Sequence, residues 1–135
     1  VIPSGAQATL LAALVLAGAL GVTMARESST GASEVAAADR DAARGDWPDA
    51  ISHARAAAEA MTPGSPWPER GLRRLESIGR DATARGDEST ARLAYAAMRT
   101  AALATRSPGS DRADWVTRAD EALSLLSATG AATRH

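Results

Sequence analysis

An all-α fold is predicted by three features of this 135-residue chain. Alanine supplies about a quarter of the residues, and alanine with Leu, Arg and Glu strongly favours helix. Aromatic residues amount to 3% and β-branched residues are few, which argues against a sheet. Glycines and Pro-Gly breaks divide the chain into segments of helical length, with apolar positions recurring every three or four residues.

The composition also excludes several functions. All fifteen basic residues are arginine, and Lys, Cys, Phe and Asn are absent. A net charge of −1 argues against nucleic acid as the main partner, which would want a basic face. Without cysteine there are no disulfides, no thiol chemistry and no thiolate metal ligands. No cofactor is expected.

The first element is the nineteen-residue stretch Ala6 to Met24, which carries no charge. As a helix it would cover roughly 28 Å, close to the hydrocarbon thickness of a bilayer. It is read as a single transmembrane helix within an anchor over residues 1–26. Gly5, Thr9, Ala13, Ala17 and Gly21 recur every four residues and so share one face. A stripe of small residues lets another membrane helix approach closely. Arg26 directly after the span, with no basic residue before it, favours a cytoplasmic C-terminal domain at the bacterial inner membrane. An exported domain behind a signal-anchor is the competing orientation.

Residues 27–32 read as a polar linker, residues 33–127 as a helical domain and residues 128–135 as a flexible tail. Ser33 to Arg44 is the first helix, with Val35, Ala38 and Ala42 on one face, and Gly45 ends it. Asp46 and Pro48 start the second, which runs to about Met61 with Ile51, Ala54, Ala58 and Met61 on one face. The third, Pro68 to Arg85, carries Leu72, Leu75, Ile78 and Ala82 as its apolar stripe. Glu69–Arg73, Glu76–Arg80 and Asp81–Arg85 are spaced as i,i+4 pairs on its solvated side. Asp87 caps the fourth, to about Thr105, with Leu93, Ala94, Ala97 and Ala101 inward. The fifth spans Asp111 to Ser127, with Trp115, Ala119, Ala122, Leu123 and Leu126 apolar.

The chain repeats itself. Ala43-Arg44-Gly45-Asp46-Trp47-Pro48-Asp49-Ala50 aligns with Ala84-Arg85-Gly86-Asp87-Glu88-Ser89-Thr90-Ala91 at an offset of 41 residues. Thr62-Pro63-Gly64-Ser65 answers Ser107-Pro108-Gly109-Ser110 further on. Two helical hairpins stacked in sequence produce this pattern. The run Gly45 to Ile51, with Ala54, Ala57 and Pro63 following, resembles the second half of a tetratricopeptide repeat. Gly86 to Ala91, with Tyr95 and Met98, is similar. The resemblance implies two αα-hairpins over about Ser33 to Thr105, with the fifth helix as a cap, and a protein-binding or assembly role.

Little in the sequence suggests catalysis. His53 lies one turn after Asp49, but no nucleophile or pocket loop accompanies it, so an inter-helix or surface histidine is expected. Arg44-Gly45-Asp46 and Arg85-Gly86-Asp87 spell an adhesion tripeptide, yet both fall where a helix–turn–helix needs Gly and a cap. Trp47, Trp67 and Trp115, with Arg70, Arg73 and Arg74, are the candidate partner contacts, since Trp and Arg dominate interface hot spots. The expectation is a non-catalytic accessory or scaffold subunit that helps assemble or stabilise a larger membrane complex, with energy-transducing complexes among the candidate hosts. Its partners would be integral membrane subunits and membrane lipid. The alternative is a membrane-anchored adaptor that recruits a soluble protein client.

Overall fold

The computed structural model describes residues 30–60, 64–106 and 112–132. The anchor, with Gly5, Thr9, Ala13, Ala17 and Gly21, lies outside the described residues. So do residues 61–63 and 107–111 of the two breaks and the last three residues. Among the described residues no helix is long and apolar enough to cross a membrane.

Among the described residues five helices pack in sequence. Residues 30–44 are helical (α1), followed by α2 (Trp47–Ala58), α3 (Trp67–Ala84), α4 (Glu88–Ala104) and α5 (Arg112–Ala132). Helix is already present at residue 30, inside the segment read as linker. α2 ends three residues before the expected Met61, at Ala58. α5 runs on to Ala132 through the first part of the expected tail. The extension has a packing reason: Gly130 is buried, and a Cβ there would stand 3.0 Å from Glu88 Oε1 at the start of α4.

The two Gly-Asp turns are built alike. Gly45 and Gly86 have φ of 76° and 73°, a left-handed conformation that costs glycine nothing. Gly45 N–H donates to Ala42 O at 3.1 Å and Asp46 N–H to Asp41 O at 2.9 Å. The second turn repeats both bonds, from Gly86 N–H to Thr83 O at 3.0 Å and from Asp87 N–H to Ala82 O at 2.9 Å. Each pair satisfies carbonyls that the ending helix would leave open. The caps that follow differ. Asp87 Oδ1 accepts from Thr90 N–H at 3.1 Å, whereas Asp46 stands at the N-cap of α2 without a side-chain cap bond.

α3 is central. Leu72, Leu75, Ile78 and Met98 are the largest fully buried side chains, and three of the four belong to α3. Most other core positions are alanines: Ala50, Ala54, Ala58, Ala91, Ala94, Ala101, Ala102. Such small residues let helices approach closely and bury little apolar area each. At Gly71 a Cβ would lie 2.4 Å from the backbone N of Ala58, so α2 and α3 meet backbone to backbone. α2 also packs on α4. Side chains join α1 to α3 and α3 to α5, as described below.

Two expected orientations change. Leu93 is half exposed, at 50%, while Ala94, Ala97 and Ala101 are buried as expected, with Ala91, Tyr95 and Met98 beside them. Of the three i,i+4 pairs on α3, only Glu69–Arg73 forms, at 3.3 Å. Glu76 reaches Arg118 of α5 at 3.6 Å, and the Arg85 guanidinium lies over the Trp47 ring, 4.4 Å from its centroid.

Candidate functional site

Each of the three tryptophans is stacked under an arginine. Arg70 covers Trp67 at 4.8 Å, Arg118 covers Trp115 at 4.7 Å and Arg85 covers Trp47. The first two pairs are i,i+3 neighbours on one helix; the third joins the end of α3 to the start of α2. A guanidinium over an indole face is attracted by the ring quadrupole and still leaves its edge for hydrogen bonds.

The candidate contact residues therefore have internal partners. Trp115 is buried, and its indole N–H donates to Glu69 Oε2 at 3.3 Å, tying α5 to α3. Trp67 is half-buried against the start of α1, where a Cβ on Gly31 would come within 2.7 Å of its Cβ. Arg73 is exposed and pairs with Glu69 on its own helix. Arg74 reaches back to Asp39 of α1, with Nε 3.0 Å from Oδ1. Arg112 and Arg118 extend the same relation, approaching Glu69 at 3.8 Å and Glu76 at 3.6 Å. In each case an acid on one odd-numbered helix meets an arginine on the next. Long side chains can bridge such rows where the backbones stand further apart.

A cleft of about 230 Å³ lies between α1 and α3. Asp39, Ala42 and Ala43 line it from α1, Arg74, Ile78 and Asp81 from α3, and half-buried Trp47 from the start of α2. Its chemistry is mixed: two carboxylates, one guanidinium, one aromatic edge and an apolar floor. α5 does not line it.

The second polar locus is inside the first hairpin. Asp41 of α1 is 6% exposed, the only charged residue among the buried ones described. His53 of α2 faces it with Nε2 3.5 Å from Oδ2, while Nδ1 lies 2.6 Å from Glu34 Oε2. Arg44 pairs with the other oxygen of Asp41. His53 is thus an inter-helix histidine, as expected, but its partners come from α1 rather than from Asp49. The carboxylates stand on opposite edges of the ring, and no cluster suited to a metal ion occurs among the described residues. Aligning the two repeat copies would have flagged this trio, because their counterparts, Leu75, Ala82 and Ala94, are apolar.

Two other ionisable groups are displaced from their ordinary range. Hydrogen bonds from the side chain and backbone of Thr90 hold the Asp87 carboxyl below it. Burial pushes the Tyr95 hydroxyl up, against a hydrogen bond with Thr83. Both follow from packing at the second turn and the α3–α4 interface. The Arg-Gly-Asp tripeptides sit at the ends of α1 and α3, with glycine in the left-handed turn, so both are accounted for by the hairpins.

Comparison with family models, with curated proteins and with solved structures gives no match. The class that stands is a five-helix, all-α domain with sequential packing.

Proposed function

We propose that this protein is a non-catalytic accessory or scaffold subunit of a larger membrane complex, with energy-transducing complexes among the candidate hosts. In this reading the uncharged stretch 6–24 spans the bacterial inner membrane and packs its small-residue stripe against integral subunits. The helical domain, a tetratricopeptide-like pair of hairpins with α5 as cap, stands at the cytoplasmic surface. Arg70 and Arg73, with the exposed edges of Trp47 and Trp67, contact protein or anionic lipid there.

The observation that carries this reading is the repeated hairpin. Two turns of the same geometry, Gly45-Asp46 and Gly86-Asp87, stack helices in sequence, and such stacks expose long, continuous surfaces suited to protein partners. The ionisable residues described above are spent largely on joining one helix to another. The test is native size after cross-linking and mild detergent extraction. Stoichiometric co-migration with integral membrane subunits, with cross-links at Trp67 and beside residue 26, is the expected outcome. A small homogeneous species without them would overturn it.

The α1–α3 cleft favours a second reading, an anchored adaptor that recruits a soluble client. The cleft is not filled by α5, and a peptide bearing both a cation and an apolar side chain would suit its two carboxylates and Trp47. That reading predicts soluble companions that are lost on Trp47→Ala and retained on Arg73→Ala.

A further inference from the structure

The ion pairs between odd-numbered helices all run one way. Asp39 of α1 reaches Arg74 of α3, and Glu69 and Glu76 of α3 reach Arg112 and Arg118 of α5. The earlier helix supplies the acid and the later one the arginine. The acids of α1 are all turned inward, Asp39 to α3 and Glu34 and Asp41 to His53 of α2. Its arginines are not. Ser33, Ala37, Arg40 and Arg44 recur every three or four residues and so share one face. Arg40 and Arg44 are exposed there with no acid between them.

α5 is the opposite case. Both of its arginines turn back to α3, and Asp120 is taken by Arg99 of α4 at 2.7 Å. Its other acids, Asp114 and Glu121, stand two turns apart on an exposed face with Thr117 and Leu125. Leu125 is 70% exposed, the most of any large apolar side chain described. A hollow of about 630 Å³ opens on this face, with Glu121 and Leu125 in its lining. The first described helix thus shows arginine outward, and the last shows carboxylate around an uncovered leucine.

We propose that copies of this protein associate head to tail, the α1 face of one copy seating on the α5 face of the next, with Arg40 set against Asp114 and Glu121. The contact carries the internal rule across copies: α5 supplies the acids and the following α1 the arginine. Ala36 and Ala37 beside Arg40 are small enough to bring α1 close and cover Leu125. Charge opposes the symmetric alternatives, since α1 on α1 sets arginine against arginine and α5 on α5 sets carboxylate against carboxylate. The two faces differ, so every assembly short of a ring keeps one free end of each kind, and copies close into rings or run on as rows. Exposed ion pairs are individually weak and screened by salt, so the association is weak and salt-sensitive. It goes beyond the accessory reading and stands without it, because it is read on the purified protein.

The experiment is analytical ultracentrifugation of the full chain in mild nonionic detergent, over a range of protein concentrations at low and high salt. At low salt the average mass is expected to keep rising with concentration without stopping at a dimer, and to fall at high salt. Arg40→Glu, and separately Asp114→Arg/Glu121→Arg, should each weaken association at least about tenfold, since an attraction becomes a repulsion. Mixing the two variants in equal amounts should restore it, because the acidic α5 face of the first then meets the basic α1 face of the second. All three substituted positions are exposed, and recovery on mixing shows that both variants are folded. Association through the uncharged stretch 6–24 would respond to neither reversal. A single mass at every concentration, reversals without effect, or a mixture no larger than its parts would overturn the proposal.

Discussion

The two hairpins share a turn and differ in what closes them. In the second, α3 brings Leu75 and Ile78 to the core and α4 brings Tyr95 and Met98, and Leu75, Ile78 and Met98 are fully buried. In the first, α1 contributes Ala38 to the core with Ala42 packed against it, and its Glu34 and Asp41 meet His53 of α2. The same local grammar of Gly, Asp and a following helix thus supports an apolar interface once and a polar one beside it. Turn geometry sets how two helices leave one another. The residues between them set how firmly they hold, and whether solvent conditions reach the joint.

The largest expected difference between the hairpins lies at one aligned position. Leu75→Ala should destabilise the domain by about 2–5 kcal/mol, the range for emptying a buried leucine site. Glu34→Ala, its counterpart, should cost about 1 kcal/mol, as for one partly solvated hydrogen bond. Urea unfolding of both variants decides this, and equal costs would erase the contrast.

A second pair sharpens it. Gly79 stands where the first hairpin has Ala38, and Tyr95 where it has Ala54. A Cβ at Gly79 would sit 2.7 Å from the Tyr95 ring, so one interface is built as glycine against tyrosine and the other from two alanines. Gly79→Ala should cost about 1–3 kcal/mol by overpacking, and much less in a Tyr95→Ala background, as a double-mutant cycle would show. Burial of Tyr95 adds a pH signature. Its hydroxyl titrates higher when folded, so its share of stability is present below the ordinary tyrosine range and is lost as pH rises through it.

Gly45→Ala and Gly86→Ala should each cost about 1 kcal/mol, since both replace a left-handed glycine. Here the hairpins should behave alike, and melting midpoints test whether the turns are equivalent. The smallest effect separates them again. Asp87→Ala removes a cap bond and should lower the midpoint, whereas Asp46→Ala should leave it unchanged. The Asp87 carboxyl is held below its ordinary range when folded. The difference between the two variants should therefore be full at neutral pH and vanish as pH falls through the carboxylate range.

Helices, turns and the face of α3 were legible in the sequence because each depends on neighbours within a few residues. Gly45 and Gly86 mark left-handed turns whatever surrounds them, and the stripe Leu72, Leu75, Ile78, Ala82 has one buried phase. α4 was harder. Alanine on every side gives weak contrast between its faces, so spacing alone turns Leu93 inward, whereas the large side chains that this helix buries are Tyr95 and Met98. The tryptophans stand out in the sequence as candidate contacts, but not that each would lie under an arginine, since Arg85 meets Trp47 across 38 positions of sequence.

What the sequence by itself determined, among the described residues, is an all-α domain of five helices, two Gly-Asp hairpins and their boundaries to within a few residues. Those features follow from backbone preference and short-range periodicity, which act before any tertiary contact forms. What only the tertiary structure decided is which helix each charge would meet. Glu76 chose Arg118 over Arg80, and His53 chose Glu34 and Asp41 over Asp49. Helical spacing allows a long side chain several partners at similar cost, and only the packing of neighbouring helices brings one of them within reach.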